Sequence, residues 1–107
     1  MEEKKEIKQQ KINIELDEKT APGDYANLTI ITHSPAEFVL DFIGMLPGMP
    51  KAKVKSRIIM APQHVKSLLR VLNDNITKYE NKFGEIKVHK HDTKGFGLKF
   101  PEDALPN

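Results

Sequence analysis

The chain of 107 residues contains no cysteine. A disulfide, a thiolate zinc site and a cysteine nucleophile are therefore excluded, which fits a reducing compartment. The longest apolar run, residues 38–49, is too short to span a bilayer and contains Asp41. The opening residues MEEKKEIKQQK have no hydrophobic core, so we expect no secretory signal. These features predict a cytoplasmic protein without a membrane segment.

Acidic residues are absent between Phe42 and Asn73, although six Lys or Arg residues fall in that stretch. Since the whole chain has a net charge of +2 and this stretch contributes +6, the rest of the sequence is net −4. A charge distribution of this kind favours an acidic partner.

Motifs that would indicate catalysis are missing, since there is no nucleophile elbow and no phosphate-binding glycine loop. We expect a non-enzymatic protein with no catalytic residue, metal or cofactor. Asp41 is expected to pair with Arg57 or Lys55 on a neighbouring strand. His89 and His91 form a His-x-His pair, which supplies too few ligands for a rigid metal site.

Alternating apolar residues predict β-strands near residues 11–17, 25–32, 38–46 and 51–60. Residues 62–83 instead repeat apolar side chains at helical spacing, between a proline near the start and Gly84. The apolar stripe of this helix contains Val65, Leu68, Leu69, Leu72, Ile76, Tyr79 and Phe83. The sequence therefore predicts an α+β fold with a four-stranded, mainly antiparallel sheet followed by one long amphipathic helix.

Residues 34–46 have two interpretations. The sequence Ser34-Pro35-Ala36-Glu37 has the spacing of a helix capping box, whereas the apolar run after it has the length of a strand. We favour a turn followed by a strand. We expect residues 1–10 to be disordered, residues 11–84 to form a single domain, and residues 85–107 to be a mostly flexible tail.

Several segments of the chain resemble a small bacterial family described only as a domain of unknown function. The resemblance is carried by YAN (residues 25–27), HSPAEFVLDF (33–42), LPG (46–48), KAKVKSRIIMAPQHVKSLL (51–69) and NITKYENKFGEI (75–86). It implies no activity. Members usually carry Ser or Thr before the helix-starting proline and Glu after it. Because Ala61 and Gln63 stand there instead, we expect no side-chain N-cap hydrogen bond.

The order of four strands and a helix is also similar to the layout of the SecB-type export chaperones, which form tetramers and hold unfolded chains in apolar grooves. Such a resemblance of layout is fold-level analogy. One helix is too narrow to cover a four-stranded sheet, so we expect a homodimer or a higher homo-oligomer. The apolar residues expected to bind other proteins are Phe38, Leu40, Phe42, Met45 and Met49.

A second function is suggested by the alternating cations Lys51, Lys53, Lys55 and Arg57. On one regular strand these side chains would share a face and could follow a phosphate backbone. No aromatic residue interleaves with them, so base stacking has little support. The leading hypothesis is therefore a protein-binding module resembling a SecB-type chaperone, and nucleic-acid binding is the alternative.

Overall fold

A computed structural model describes residues 10–88, which form three β-strands followed by one α-helix. The elements in chain order are β1 (Leu28–His33), β2 (Phe38–Gly44), β3 (Lys53–Met60) and α1 (Pro62–Phe83). The strands form an antiparallel sheet in the order β1-β2-β3. The predicted α+β class and the helix limits are confirmed, and the last three predicted strands are present with ends displaced by up to three residues.

The predicted strand at residues 11–17 is absent from the sheet, which has three strands rather than four. Ile12, Ile14 and Leu16 are 77%, 93% and 70% exposed. Alternation specifies the two faces that a strand would present, but a strand also needs a neighbour for its backbone N–H and C=O groups. Within the described part of the chain, no strand pairs with this segment.

The connection between β1 and β2 is a turn, which settles the ambiguity at residues 34–46 in favour of turn plus strand. The Ser34 backbone N–H donates to the Glu37 carbonyl at 2.9 Å, and the Ala36 N–H donates to Ser34 Oγ at 3.3 Å. The serine side chain therefore supports a hairpin turn instead of capping a helix.

The register of β2 against β3 contains one irregularity, between Phe42 and Ile43. Phe42 is opposite Ser56 but Ile43 is opposite Val54, so Lys55 is the extra residue of a β-bulge. β2 itself runs without interruption, and its side chains alternate between two faces. The Asp41 face carries Val39, Asp41 and Ile43, and the Leu40 face carries Phe38, Leu40, Phe42 and Gly44.

The core of the molecule is centred on β2. Among residues 10–88 the buried apolar residues are Val39, Leu40 and Ile43, and Asp41 between them is 0% exposed. Buried residues occur on both faces of this strand. By contrast, α1 contains no buried residue.

The prediction that α1 starts without a side-chain N-cap hydrogen bond is also confirmed. Ala61 occupies the N-cap position of α1 and makes no side-chain capping bond. At the other end Gly84 adopts a φ of 103° and donates its N–H to the Glu80 carbonyl at 2.9 Å. Glycine suits this position because a positive φ costs it little.

The expectations for residues 1–10 and 85–107 concern sequence that lies largely outside residues 10–88, and they stay predictions. His89 and His91 also lie outside the described residues.

Candidate protein-binding surface

The residues predicted to bind other proteins are not equally accessible. Leu40 is only 4% exposed, and Phe38, Phe42 and Met45 are half-buried. Met49 is 59% exposed, in the turn between β2 and β3. Leu40 is thus part of the core of its own chain, whereas Met49 is open to a partner.

An asparagine fixes the end of β2 next to this turn. Asn27 Oδ1 accepts the backbone N–H of Met45 at 2.8 Å, and Asn27 Nδ2 donates to the Met45 carbonyl at 2.9 Å. The Asn27 backbone N–H also donates to the Ile43 carbonyl at 2.9 Å. These bonds continue the β1–β2 pairing past the end of both strands. They hold the backbone of Met45, directly before the apolar turn at residues 46–49, against Asn27.

The predicted row of cations does not share one face. Arg57 is directly opposite Asp41, so its side chain lies on the Asp41 face. Lys55 lies against Gly44 on the Leu40 face, because a Cβ added to Gly44 would be 2.9 Å from Lys55 Cε. The bulge at Lys55 therefore separates two cations that a regular strand would align, and the expectation of one continuous basic face is wrong.

Arg57 forms an ion pair with a residue of its own chain, Asp41. Its Nε and Nη2 atoms donate to Asp41 Oδ1 and Oδ2 at 2.7 and 2.8 Å, in a bidentate arrangement. The hydrogen bond to Asp41 raises the pKa of Arg57 above its ordinary value. The predicted pairing of Asp41 is confirmed, with Arg57 rather than Lys55 as its partner. A phosphate would have to compete with a buried carboxylate for this guanidinium.

The histidines of the described region do not form a metal site. His33 stacks on Phe38 with ring centroids 5.3 Å apart, and His64 is exposed in the first turn of α1. Among residues 10–88 there is no cluster of three or more His, Cys, Asp or Glu side chains suited to a metal ion.

An unburied apolar surface outside the sheet lies on α1. We call the residues Val65, Leu69, Leu72, Ile76, Tyr79 and Phe83 the helix seam. Its last five members are between 42% and 65% exposed. The rings of Tyr79 and Phe83 contact each other at 4.9 Å between centroids, and Lys82 Nζ lies 5.4 Å from the Phe83 ring centre. The seam is therefore an exposed apolar stripe along one helix.

A second unburied apolar set is the N-terminal row, which consists of Ile12, Ile14 and Leu16. The sequence pattern identified both sets as periodic, the first as the apolar stripe of the helix and the second as one face of a strand.

The comparisons with known proteins identify a family without a described activity. Residues 1–88 match the family model described as Protein of unknown function (DUF3467), so the chain belongs to that family. No curated protein and no solved structure matches the chain. The predicted family membership is thus confirmed. No helix of the described residues is long and apolar enough to cross a membrane.

Proposed function

We propose that this member of the DUF3467 family is a non-enzymatic, self-associating protein-binding module of the cytoplasm. The observation that carries the proposal is the helix seam, because α1 presents an apolar stripe and none of its residues is buried. Contiguous exposed apolar surface on a soluble domain marks an interaction site. The absence of cysteine from the sequence supports the cytoplasmic assignment.

The size of the seam supports association of moderate strength. Burying the exposed half of five such side chains contributes on the order of 5 kcal/mol per copy. Two copies therefore gain on the order of 10 kcal/mol, which is comparable with the roughly 4–15 kcal/mol that association costs. The seam alone supports a reversible contact, and the N-terminal row offers further apolar surface to strengthen it.

Sedimentation velocity over a range of protein concentrations tests this proposal. The double variant Leu69→Gln/Ile76→Gln removes apolar surface from the middle of the seam but keeps residues that suit a helix. We expect its dissociation constant to rise on the order of 100-fold or more. The matched control is Ser67→Gln/Asp74→Gln on the opposite side of α1, which we expect to associate like the unmodified protein. A monomer at every concentration would contradict the proposal.

A narrower version of the proposal is a holdase that resembles the SecB-type chaperones. Its support is the same exposed apolar surface, together with Met49 and Leu46 at 59% and 67% exposure, since flexible apolar side chains accommodate varied clients. We expect a stoichiometric amount of the protein to suppress the aggregation of a chemically denatured client after dilution. Failure to do so over a range of ratios would remove the holdase version and leave self-association standing.

The alternative, nucleic-acid binding, is supported by the excess of cations between Phe42 and Asn73. The bulge at Lys55 and the ion pair of Arg57 count against it. Arg57 pairs with a buried carboxylate, so its replacement would lower the stability of the fold as well as remove a cation. The variant that tests binding alone is therefore Lys51→Glu/Lys53→Glu/Lys55→Glu, which should abolish salt-sensitive binding to duplex DNA or single-stranded RNA. The absence of binding by the unmodified protein at low salt would eliminate this alternative.

A further inference from the structure

The spacing along the helix seam is that of a helix that pairs with another helix. From Val65 to Phe83 the seam residues follow one another at intervals of 4, 3, 4, 3 and 4 residues. This is the spacing of alternating d and a positions of a heptad, which is typical of helices that pair with one another. Leu68, at a g position, lies beside this row. Since α1 is the only helix among residues 10–88, the described chain contains no second helix that could cover the seam.

We infer that α1 pairs with α1 of a second copy in the antiparallel orientation, an inference that rests on the self-association proposed above. Asp74 lies nine residues from both Val65 and Phe83, at the midpoint of the seam. A twofold axis at that level makes the seam self-complementary, because every a position then faces a d position. The layers are Val65 with Phe83, Leu69 with Tyr79, and Leu72 with Ile76, and each layer occurs twice.

The charges beside the seam favour this orientation. Lys66 and Glu80 both occupy e positions, which face each other in an antiparallel pair. Lys66 of each copy therefore meets Glu80 of the other, and two opposite-charge contacts result. Glu80 Oε2 already accepts the Ile86 backbone N–H at 3.0 Å, and a carboxylate has further lone pairs for a lysine.

The residues beside the twofold axis are also compatible with the antiparallel pair. Asn73 and Asn75 flank the axis at an e and a g position, so neutral amides meet their own copies there and no like charges do. Asp74 is at an f position, on the side of α1 away from the seam. In a parallel pair, g positions face e positions, which brings Asn75 near Glu80 and leaves Lys66 without an acidic neighbour. The charge pattern therefore selects a second copy in the antiparallel orientation.

A distance measurement between two copies tests the orientation directly. The protein has no cysteine, so a single Gln63→Cys variant carries one spin label at an outward-facing position near the helix start. In the antiparallel pair the two labelled positions are offset by 22 residues, which is about 33 Å along the axis. In a parallel pair they are level, and the helices are only about 8–10 Å apart. Labels at Asp74→Cys are level with each other in either orientation, so in an adjacent pair they are separated only by the width of two helices, roughly 20 Å. A larger separation at residue 74 would mean that the helices are not adjacent.

A charge exchange tests the contact between Lys66 and Glu80. Lys66→Glu alone places like charges together twice, so we expect the dissociation constant to rise roughly tenfold. Lys66→Glu/Glu80→Lys restores opposite charges and should return the dissociation constant toward that of the unmodified protein. Both changes suit the helix dipole, so circular dichroism should show that helix content is kept. Lys78→Glu, off the seam, is the matched control and should leave association unchanged.

The results of these experiments distinguish failure of the antiparallel pairing from failure of the proposed self-association. Long distances at residue 63, short distances at residue 74 and rescue by the charge exchange would support the antiparallel pair. Short distances at both positions would overturn the orientation, and long distances at both would remove α1 from the interface. In either of those cases self-association itself would survive. A protein that is monomeric at every concentration would overturn both the inference and the proposed function.

Discussion

β2 and α1 are both rich in apolar residues, but only β2 is buried by its own chain. The strand has buried residues on both of its faces, whereas α1 contains none. β2 lies between β1 and β3, so its neighbours follow from the hairpin connections of the same chain. The helix comes last and has no comparable neighbour among residues 10–88. An apolar pattern thus shows that a surface will be covered, but the topology decides whether the same molecule covers it.

The largest expected effect concerns the ion pair in the sheet. Replacing Arg57 by methionine leaves the Asp41 carboxylate, which is 0% exposed, without its bidentate partner. We expect a large fall in the free energy of unfolding, because the Asp41 carboxylate would stay buried without a partner for its charge. The Arg57 side chain is itself 37% exposed, so water screens part of the interaction that is lost. Urea denaturation at low protein concentration measures this loss.

Two further variants control for the change at Arg57. Lys53→Met removes an exposed cation from the same strand, and we expect it to cost under about 0.5 kcal/mol. Arg57→Lys keeps the charge but loses the bidentate geometry, so its cost should be intermediate. If Arg57→Met proved as stable as Lys53→Met, Asp41 would not depend on this pair.

The second prediction compares a leucine of the sheet with a leucine of the helix. Leu40→Ala should reduce the free energy of unfolding by about 2–5 kcal/mol at any protein concentration, because it opens a cavity in the core of one chain. Leu72 is 49% exposed, so Leu72→Ala should cost less than about 1 kcal/mol in the dilute monomer. Its cost should increase with protein concentration as association buries the seam.

Denaturation midpoints at two protein concentrations distinguish these cases. If Leu40→Ala were the concentration-dependent variant, Leu40 would lie in an interface between copies rather than in the core. If the denaturation midpoint of neither variant depended on protein concentration, Leu72 would not be buried by association, and the proposed contrast between a sheet buried within one chain and a helix buried between copies would be wrong.

The smallest expected effect is at the start of α1. The backbone of Ala61 is extended, with φ −68° and ψ 154°, which is the conformation that an N-cap requires. A serine there would accept the N–H of Gln63 or His64, and we expect Ala61→Ser to stabilise the helix by about 1 kcal/mol. Hydrogen exchange of the first helical turn should slow while exchange in β2 stays unchanged. Equal slowing in β2 would show that the helix and the sheet unfold as one unit.

Much of the fold could be predicted because its determinants are local. The helix limits follow from the apolar period, a proline at the start and Gly84 at the end. The hairpin before β2 follows from Ser34 and Pro35, although the same residues also suit a helix start. The pairing of Asp41 with Arg57 could be expected because a carboxylate inside an apolar strand needs a partner.

The predictions that the structure does not bear out depend on contacts between segments that are far apart in the sequence. Residues 11–17 alternate like a strand, but the pattern contains no information about whether a neighbouring strand exists. The cations of β3 alternate too, yet the one-residue bulge at Lys55 shifts the alternation. Leu40 is among the residues predicted to bind other proteins but is 4% exposed, because sequence alone does not show which residues of an apolar strand are covered by its own chain.

β1 and β3 are the two edges of the sheet, and they differ in how readily they would template further strands. β3 carries Lys53 and Lys55 together with the bulge, which are devices that discourage strand addition. β1, with the sequence LTIITH, has no lysine and pairs with β2 in regular register. Any growth of this sheet is therefore directed to the β1 side. If two sheets joined through their β1 edges, both outer edges of the resulting six-stranded sheet would be β3, and the sheet itself would not grow further.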